Sequence, residues 1–346
     1  MTQENRIGWD IGGAHLKVVV LDQDDSVIFV DQIETPLWKG LDVLDQAVES
    51  LPGGLIKNAK SHGVTMTGEL ADIFPDRITG VRELVKKITT LLDQDIPRKI
   101  NIYAGEKGWL SPAAIEGNES QIASANWHAT ARFIATFKPQ GFLIDMGSTT
   151  TDIIPLIDGK PDSSGLSDQE RLQKDELVYT GVNRTSVTAV VSSLPFAGEW
   201  QKIAAEYFST MADIYCLTED IPENAGFTTA DGKGSSLFDC ARRLARVTGS
   251  DLHEAELAAW QELAHYISRQ QMRNISESLS RVKSRYPSVE MPIIGAGAGK
   301  FLIRRLAEWH NTPYYDFADF IQGDEMLTQA AAICAPATAC AALQKI

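Results

Sequence analysis

The stretch DIGGAHLK, residues 10–17, sets an acid, two adjacent glycines and a lysine between the apolar runs RIGW and VVVL. A turn of that length needs one glycine at most for its geometry. The surplus has a chemical use. Gly12 and Gly13 leave room for a ligand to approach backbone N–H groups, Asp10 can hold a hydrated Mg²⁺, and Lys17 can face an anion. The competing structural reading is a glycine hairpin with a solvated Asp.

The same logic returns in IDMGSTTTDI. Asp145 leaves an apolar run, Gly147 stands at the turn, Ser148, Thr149, Thr150 and Thr151 offer hydroxyl donors, and Asp152 closes the set. Consecutive hydroxyl residues also satisfy plain β propensity, but that propensity does not call for an Asp-x-Gly directly before them. A third glycine turn, IIGAGAGKFLIRRL, holds Gly295, Gly297 and Gly299. Its GxGxG spacing lacks the GxGxxG register of a dinucleotide fingerprint and falls late in the chain, which weighs against a Rossmann reading.

Positioning these turns requires a mixed α/β framework. IGWDIGG, HLKVVVLD and DSVIFVDQIE read as an antiparallel meander. Residues 41–60 read as helix, HGVTMTGEL as strand, GVRELVKKITTLLDQ as an amphipathic helix closing before Pro97, and KINIYAGE as strand. At Gly141 the pattern restarts with FLIDMGS and TTDIIPLIDGK. A polar, looped stretch (residues 161–176), the segment ELVYTGVNRTSV and helical sequence through Arg285 follow. Asp251 and Glu254 have N-cap spacing ahead of a long helix or a broken pair. MPIIGAGAGKFLIRRLAEW reads as strand, glycine turn and helix, and residues 324–346 as helix interrupted near Pro336.

With 346 residues, two domains are expected, each large enough for its own core. Lys plus Arg total 32 against 46 Asp plus Glu, a net charge of −14, so the surface repels phosphate backbones and anionic membranes and no nucleic-acid partner is expected. Four spaced cysteines without a CxxC pair suit reduced thiols in a cytoplasmic protein. No apolar signal region precedes residue 10 and no 18-residue apolar run occurs, so neither secretion nor a membrane span is expected.

In order, an acid-glycine hairpin, an acid-glycine-hydroxyl hairpin and a late glycine turn resemble the phosphate 1, phosphate 2 and adenosine motifs of the sugar kinase, heat-shock 70 and actin superfamily. The resemblance implies an α/β fold in which two ribonuclease H-like domains face a central cleft and both hairpins meet on a phosphate chain and its metal. The implied domains are 1–139, completed by a C-terminal helix over 325–346, and 140–324, with a helical insertion. More narrowly, TMTGELADIFPDRITGV, NIYAGEKGWL, ASANWHATA, FLIDMGSTTTDIIPL and ELVYTGVNRTSV resemble the hydantoinase/oxoprolinase-related family linked to tetrahydromethanopterin-dependent C1 transfer in methanogens and methylotrophic bacteria. Its archaeal members are similar to a synthase of methanofuran biosynthesis that joins an aminomethylfuran methyl diphosphate to the phenol of γ-glutamyltyramine and releases pyrophosphate.

The chemistry so implied is physically coherent. A furan ring donates electron density to its CH₂, so diphosphate can depart from a cation-like transition state, and catalysis then consists mainly of holding Mg²⁺ and neutralising the leaving group. The resemblance implies Asp10, Asp145 and Asp152 as ligands of the metal or its waters. It places Gly12, Gly13, Lys17, Gly147, Ser148, Thr149 and Thr150 around the diphosphate. A phenol, with an unperturbed pKa of about 10, also needs a base. Glu69, Asp72 and His15 are candidates, against a capping role for the two acids and a structural one for the histidine. Arg77 is placed to pair with either acid or to reach a substrate carboxylate.

Trp127, between Asn126 and His128, is a candidate to stack on a substrate ring, with buried packing as its commoner fate. Tyr179, Asn183 and Arg184 are candidates to line the second-domain side of the cleft. Arg242, Arg243 and Arg246 read as a solvated or acid-paired helix face unless they attract glutamyl carboxylates. The chain lacks the lone catalytic Asp that sugar kinases use on a hydroxyl. An ATP-dependent small-molecule kinase or hydrolase is therefore the alternative, a non-catalytic nucleotide sensor ranks third, and homo-oligomerisation is left open.

Overall fold

In a computed structural model, residues 5–92, 99–287 and 291–345 are described. The chain opens with strands β1 (Asn5–Ile11), β2 (His15–Leu21) and β3 (Ser26–Glu34), then helix α1 (Asp42–Ser50), β4 (Ala59–Met66), α2 (Arg77–Leu92), β5 (Lys99–Tyr103), β6 (Trp109–Leu110), α3 (Glu119–Ile122) and α4 (Asn126–Ala135). It continues with β7 (Gly141–Met146), β8 (Thr151–Ile157), β9 (Lys160–Pro161), α5 (Asp168–Gln173), β10 (Leu177–Val178), β11 (Ser193–Phe196), β12 (Glu199–Lys202), α6 (Met211–Leu217), α7 (Leu237–Val247) and α8 (Leu257–Lys283). The last elements are β13 (Ile293–Ala296), α9 (Lys300–Trp309), β14 (Tyr314–Asp316), β15 (Gln322–Gly323), α10 (Glu325–Ile333) and α11 (Ala335–Ala342).

The first sheet has the order β15-β3-β2-β1-β4-β5-β6, the second β10-β8-β7-β13-β14 with β9 on β8. β1, β2 and β3 form the expected antiparallel meander, and β4 and β5 add to it in parallel. The described residues divide into two compact units. One takes in Met1–Leu143, Pro155–Asp162 and Tyr315–Ile346, the other Ile144–Ile154 and Ser163–Tyr314.

Several expectations need correction. The helix expected over 41–60 stops at Ser50, because Pro52, Gly53 and Gly54 follow and residues 59–60 are claimed by β4. The polar stretch 161–176 is not all loop: Ser167 and Glu170 form a capping box that starts α5. The expected helical region before Arg285 contains the β11–β12 hairpin, whose turn residues Ala197 and Gly198 both have positive φ. Asp251 and Glu254 cap a single 3₁₀ turn, while α8 begins at Leu257 and runs unbroken for 27 residues. The C-terminal break falls at Cys334, with a bend of 106°, and Pro336 sits in the first turn of α11, where a missing N–H costs nothing. The expected end of α2 near Pro97 lies outside the described residues.

In the first unit, alternation along β1 sends Ile7, Trp9 and Ile11 into a core shared with Val64 and Met66 of β4, Leu44 of α1 and Val81 and Leu84 of α2. The opposite face is covered by α11. It can lie there because the register partners Gly8 and Gly63 carry no side chains: a Cβ on Gly8 would stand 1.8 Å from the Ala337 carbonyl oxygen, and one on Gly63 2.6 Å from that of Cys340. Val19 and Leu21 of β2 pack on Ala337 and Ala341 on this same face. Among the described residues no single helix is long and apolar enough to cross a membrane; the bent pair α10 and α11 passes only by length and composition, and α11 is buried.

The glycine contact yields a stability prediction. Gly8→Ala forces α11 off the sheet and lowers unfolding free energy by about 3 kcal/mol in urea titrations, the scale of core overpacking. Gly53→Ala, whose Cβ meets nothing within 4 Å, serves as the neutral control.

Candidate functional site

Each of the two Asp-x-Gly sequences forms a tight connection between adjacent strands, closed by the same bond. Gly12 N–H donates to the His15 carbonyl at 3.0 Å, and Gly147 N–H donates to the Thr150 carbonyl at 2.9 Å. In both, the Asp stands two residues before the glycine, at the end of its strand.

In the first turn, Asp10 is register partner to Lys17, whose Nζ lies 3.7 Å from Asp10 Oδ2. The Asp10 side chain is buried, and its Oδ1 has no hydrogen-bond partner. Burial pushes its carboxyl above the usual range, and Lys17 opposes that shift. A Cβ on Gly13 would meet nothing within 4 Å, whereas one on Gly12 would stand 2.9 Å from the His15 carbonyl oxygen. The segment after β4 braces the turn: Thr67 N–H donates to the Ile11 carbonyl at 3.0 Å, and Gly68 is so close that a Cβ would meet the same oxygen at 3.0 Å. Glu69 follows, 1% exposed, accepting from Ser124 Oγ at 2.8 Å. Asp72 is separate, on the exposed stretch before α2. Asp76 caps that helix by accepting from Thr79 N–H at 2.8 Å, so neither Glu69 nor Asp72 does. His15 is half-buried and faces Glu34 in register, and Arg77 is exposed at the start of α2.

The second turn is clamped from behind. The N–H groups of Val182, Asn183 and Arg184 donate to the Gly147 carbonyl at 3.0 Å and to the Ser148 carbonyl at 3.1 and 3.0 Å. Gly181 is required for that approach, since a Cβ there would stand 2.5 Å from Thr149 N. Ser148 Oγ is buried without a partner, and Thr149 and Thr150 are half-buried. Thr151 is turned inward, donating to the Thr180 carbonyl at 2.7 Å. The clamp is itself held by Gln271 of α8, fully buried, whose Nε2 donates to Thr180 Oγ1 at 2.7 Å and the Gly181 carbonyl at 2.9 Å while its Oε1 accepts from Tyr215.

Asp152 has another employment than metal binding. Arg171 of α5, 1% exposed, donates from Nη1 to Asp152 Oδ1 at 2.8 Å and from Nη2 to the Glu176 carbonyl at 2.9 Å. Burial raises the Asp152 carboxyl and Arg171 pulls it back. The pair fixes α5 against β8. Asp145 is buried at the end of β7. Among the described residues no group of three or more His, Cys, Asp or Glu is arranged to hold a metal ion.

Gly295, Gly297 and Gly299 are filled by the protein itself. A Cβ on Gly297, where φ is +79°, would stand 2.4 Å from Asp145 Oδ1; one on Gly299 2.3 Å from Met146 Sδ; one on Gly295 2.5 Å from the Tyr314 hydroxyl. Gly299 N–H donates to the Met146 carbonyl at 2.9 Å. Gly297 and Gly299 let the β13–α9 turn seat against the end of β7, and Gly295 lets Tyr314 of β14 lie over β13.

Trp127 is buried edge-on to His128 rather than open to a ring, and His128 Nδ1 lies 2.8 Å from the Tyr103 hydroxyl. Asn126 begins α4. Tyr179 and Arg184 are exposed and Asn183 half-buried, so of these three it is the backbone of 183 and 184 that serves the turn. Arg243 is not on a solvated face: it is buried against Asp213 at 2.6 Å and Asp231 at 3.0 Å. Arg242 pairs with Asp239 and Asp231, and Arg246 is exposed. Nothing in the local sequence marks Gln271, because a glutamine 90 residues from its partner leaves no short-range pattern.

A meander extended by parallel strands, with an Asp-x-Gly hairpin repeated in each unit, defines a protein of the sugar kinase, heat-shock 70 and actin fold class. Over 98% of this chain and 70% of the other, the fold matches nucleotide-free acetone carboxylase at a TM-score of 0.57 and 10% identity. Residues 60–344 match the hydantoinase/oxoprolinase family, and the chain belongs to that family. It is 30% identical over 294 residues, 84% of this chain and 86% of the relative, to the (4-{4-[2-(γ-L-glutamylamino)ethyl]phenoxymethyl}furan-2-yl)methanamine synthase of Methanocaldococcus jannaschii. To the synthase of the same name from Methanococcus vannielii it is 33% identical over 156 residues, 45% of this chain and 70% of that one.

Two stability predictions come from these contacts. Gly181→Ala in the second unit pushes into the Ser148–Thr149 backbone and lowers the melting temperature, whereas Gly13→Ala in the first, whose Cβ meets nothing within 4 Å, leaves it unchanged; calorimetry of both variants separates the two. Burial would raise the Glu176 carboxyl, but the Ser163 hydroxyl, the Ser164 N–H and Arg285 outweigh it and hold it below the usual range. A depressed acid stabilises the fold above its unfolded pKa and loses that contribution as pH falls through the folded one. Urea titrations of wild type and Glu176→Gln should therefore differ most near neutral pH, with the difference starting to shrink below about pH 4.3, the unfolded glutamate value, and lost once the pH is below the folded pKa.

Proposed function

We propose that this protein joins an (aminomethylfuranyl)methyl diphosphate to the phenol of γ-glutamyltyramine, releasing pyrophosphate in the synthesis of a methanofuran-type cofactor. The bond from the furan CH₂ to the diphosphate oxygen breaks, with the electron pair leaving on pyrophosphate. The phenol oxygen forms the new bond to that carbon, and its proton passes to a base. The observation that carries this reading is the relationship to the synthases of that name across most of both chains.

The structure supplies suitable groups for each role. Asp10 Oδ1 is a buried oxygen acceptor without a partner, which suits Mg²⁺, an ion that keeps most of its waters and takes one or two carboxylates from protein. Asp10 would hold it in the first unit, and Asp145 is the matching carboxylate of the second hairpin. When bound, Mg²⁺ neutralises charge building on the departing diphosphate. Lys17 adds a cation beside Asp10, and the open backbone of Gly13 lets an oxyanion approach. In the second unit Gly147, Ser148, Thr149 and Thr150 present amides and hydroxyls to phosphate oxygens. Glu69, adjoining the first turn, takes the phenolic proton.

Mixing protein, Mg²⁺, the furan diphosphate and the tyramine derivative should release pyrophosphate, and none above a control lacking the phenol overturns the reading. Chelation with EDTA should stop the release. Asp10→Asn should cut kcat by about a hundredfold or more, and Glu69→Gln should lower kcat with little change in KM for the diphosphate.

A further inference from the structure

On the face of the first sheet that carries α11, three polar residues stand side by side on neighbouring strands. Lys17 pairs with Asp10 in the antiparallel register of β2 and β1, and Asp10 pairs with Thr65 in the parallel register of β1 and β4. Their shared face is fixed by alternation: Gly8 and Gly63, two residues earlier, are the positions over which α11 packs, whereas Trp9, Ile11, Val64 and Met66 enter the core behind. Adjacent strands are about 4.8 Å apart. Lys17 occupies one side of Asp10, its Nζ on Oδ2.

The other side is unexplained by protein contacts. Thr65 is 0% exposed and its Oγ1 has no hydrogen-bond partner, while Asp10 is 4% exposed and its Oδ1 has none. A strand needing only β propensity and bulk would take Val at 65, which fills the same space without burying a hydroxyl. Two orphaned oxygens at adjacent register positions, both almost fully buried, mark a place built for a small polar occupant.

We propose that Thr65 is a positioning residue that, with Asp10 Oδ1, holds one water of a bound divalent cation; this rests on the reading that Asp10 receives Mg²⁺. Asp10 accepts one proton of that water, and the Thr65 hydroxyl fixes the water's orientation from the neighbouring strand. The residue thereby sets how tightly the hydrated ion is held without touching the substrate carbon.

The full chain tests this with Mn²⁺ as probe, its binding followed by water-proton relaxation with and without pyrophosphate, on wild type, Thr65→Val, Thr65→Ser and Asp10→Asn. Thr65→Val should bind Mn²⁺ about tenfold more weakly or worse, Thr65→Ser close to wild type, and Asp10→Asn least of all. Without metal, Thr65→Val should melt at or above the wild-type temperature, because Val removes a buried hydroxyl that has no partner. Wild-type Mn²⁺ affinity in Thr65→Val, or equal weakness in Thr65→Ser, overturns the proposal and leaves the metal at Asp10 standing. A lower melting temperature for metal-free Thr65→Val overturns it by assigning the hydroxyl a structural role. If wild type binds no Mn²⁺ under either condition, the metal reading falls and this proposal with it.

Discussion

The first unit depends on a place where two side chains are missing. Gly8 and Gly63, side by side on parallel strands, open a groove into which the Ala-rich α11 settles backbone against backbone. Closing that groove covers one face of the sheet, brings the buried Cys340 thiol into the electrostatic environment of Asp10, and takes the Asp10 carboxylate out of water. Burial of a carboxylate is costly unless charge or hydrogen bonds meet it. Lys17 meets part of that cost at one oxygen. The other oxygen and the Thr65 hydroxyl have no hydrogen-bond partner.

The second hairpin solves the same problem by different means. Its turn is not covered by a helix packed on glycines but strung from behind by three backbone N–H groups, which occupy the carbonyls of Gly147 and Ser148. The strap holding it is anchored by Gln271 and Thr151, and its approach is anchored by Arg171 on Asp152 and by Arg285 on Glu176. Buried polar networks that satisfy most of their groups rigidify the segment they hold.

Glycine therefore has three meanings in one chain. At Gly13 a Cβ would meet nothing within 4 Å; at Gly8, Gly63 and Gly181 it would meet the protein's own backbone; at Gly297 and Gly299 its absence lets one turn seat on the end of β7, and at Gly295 it makes room for Tyr314. In the third glycine motif the positions a Cβ would take are held by the protein's own Tyr314, Asp145 and Met146.

Local pattern alone determined the meander of β1 to β3, the helices α2 and α9 and the two Asp-x-Gly turns, because alternation, helical period and turn chemistry act over a few residues. The α5 capping box was legible too and was outweighed by the polar run around it. What only the tertiary structure decided was which polar residue meets which. Asp152 belongs to Arg171, Arg243 to Asp213, Trp127 to the interior, and Thr65 stands beside Asp10. Sheet register and tertiary packing set those pairings between residues tens of positions apart, and no local spacing encodes a neighbour on another strand.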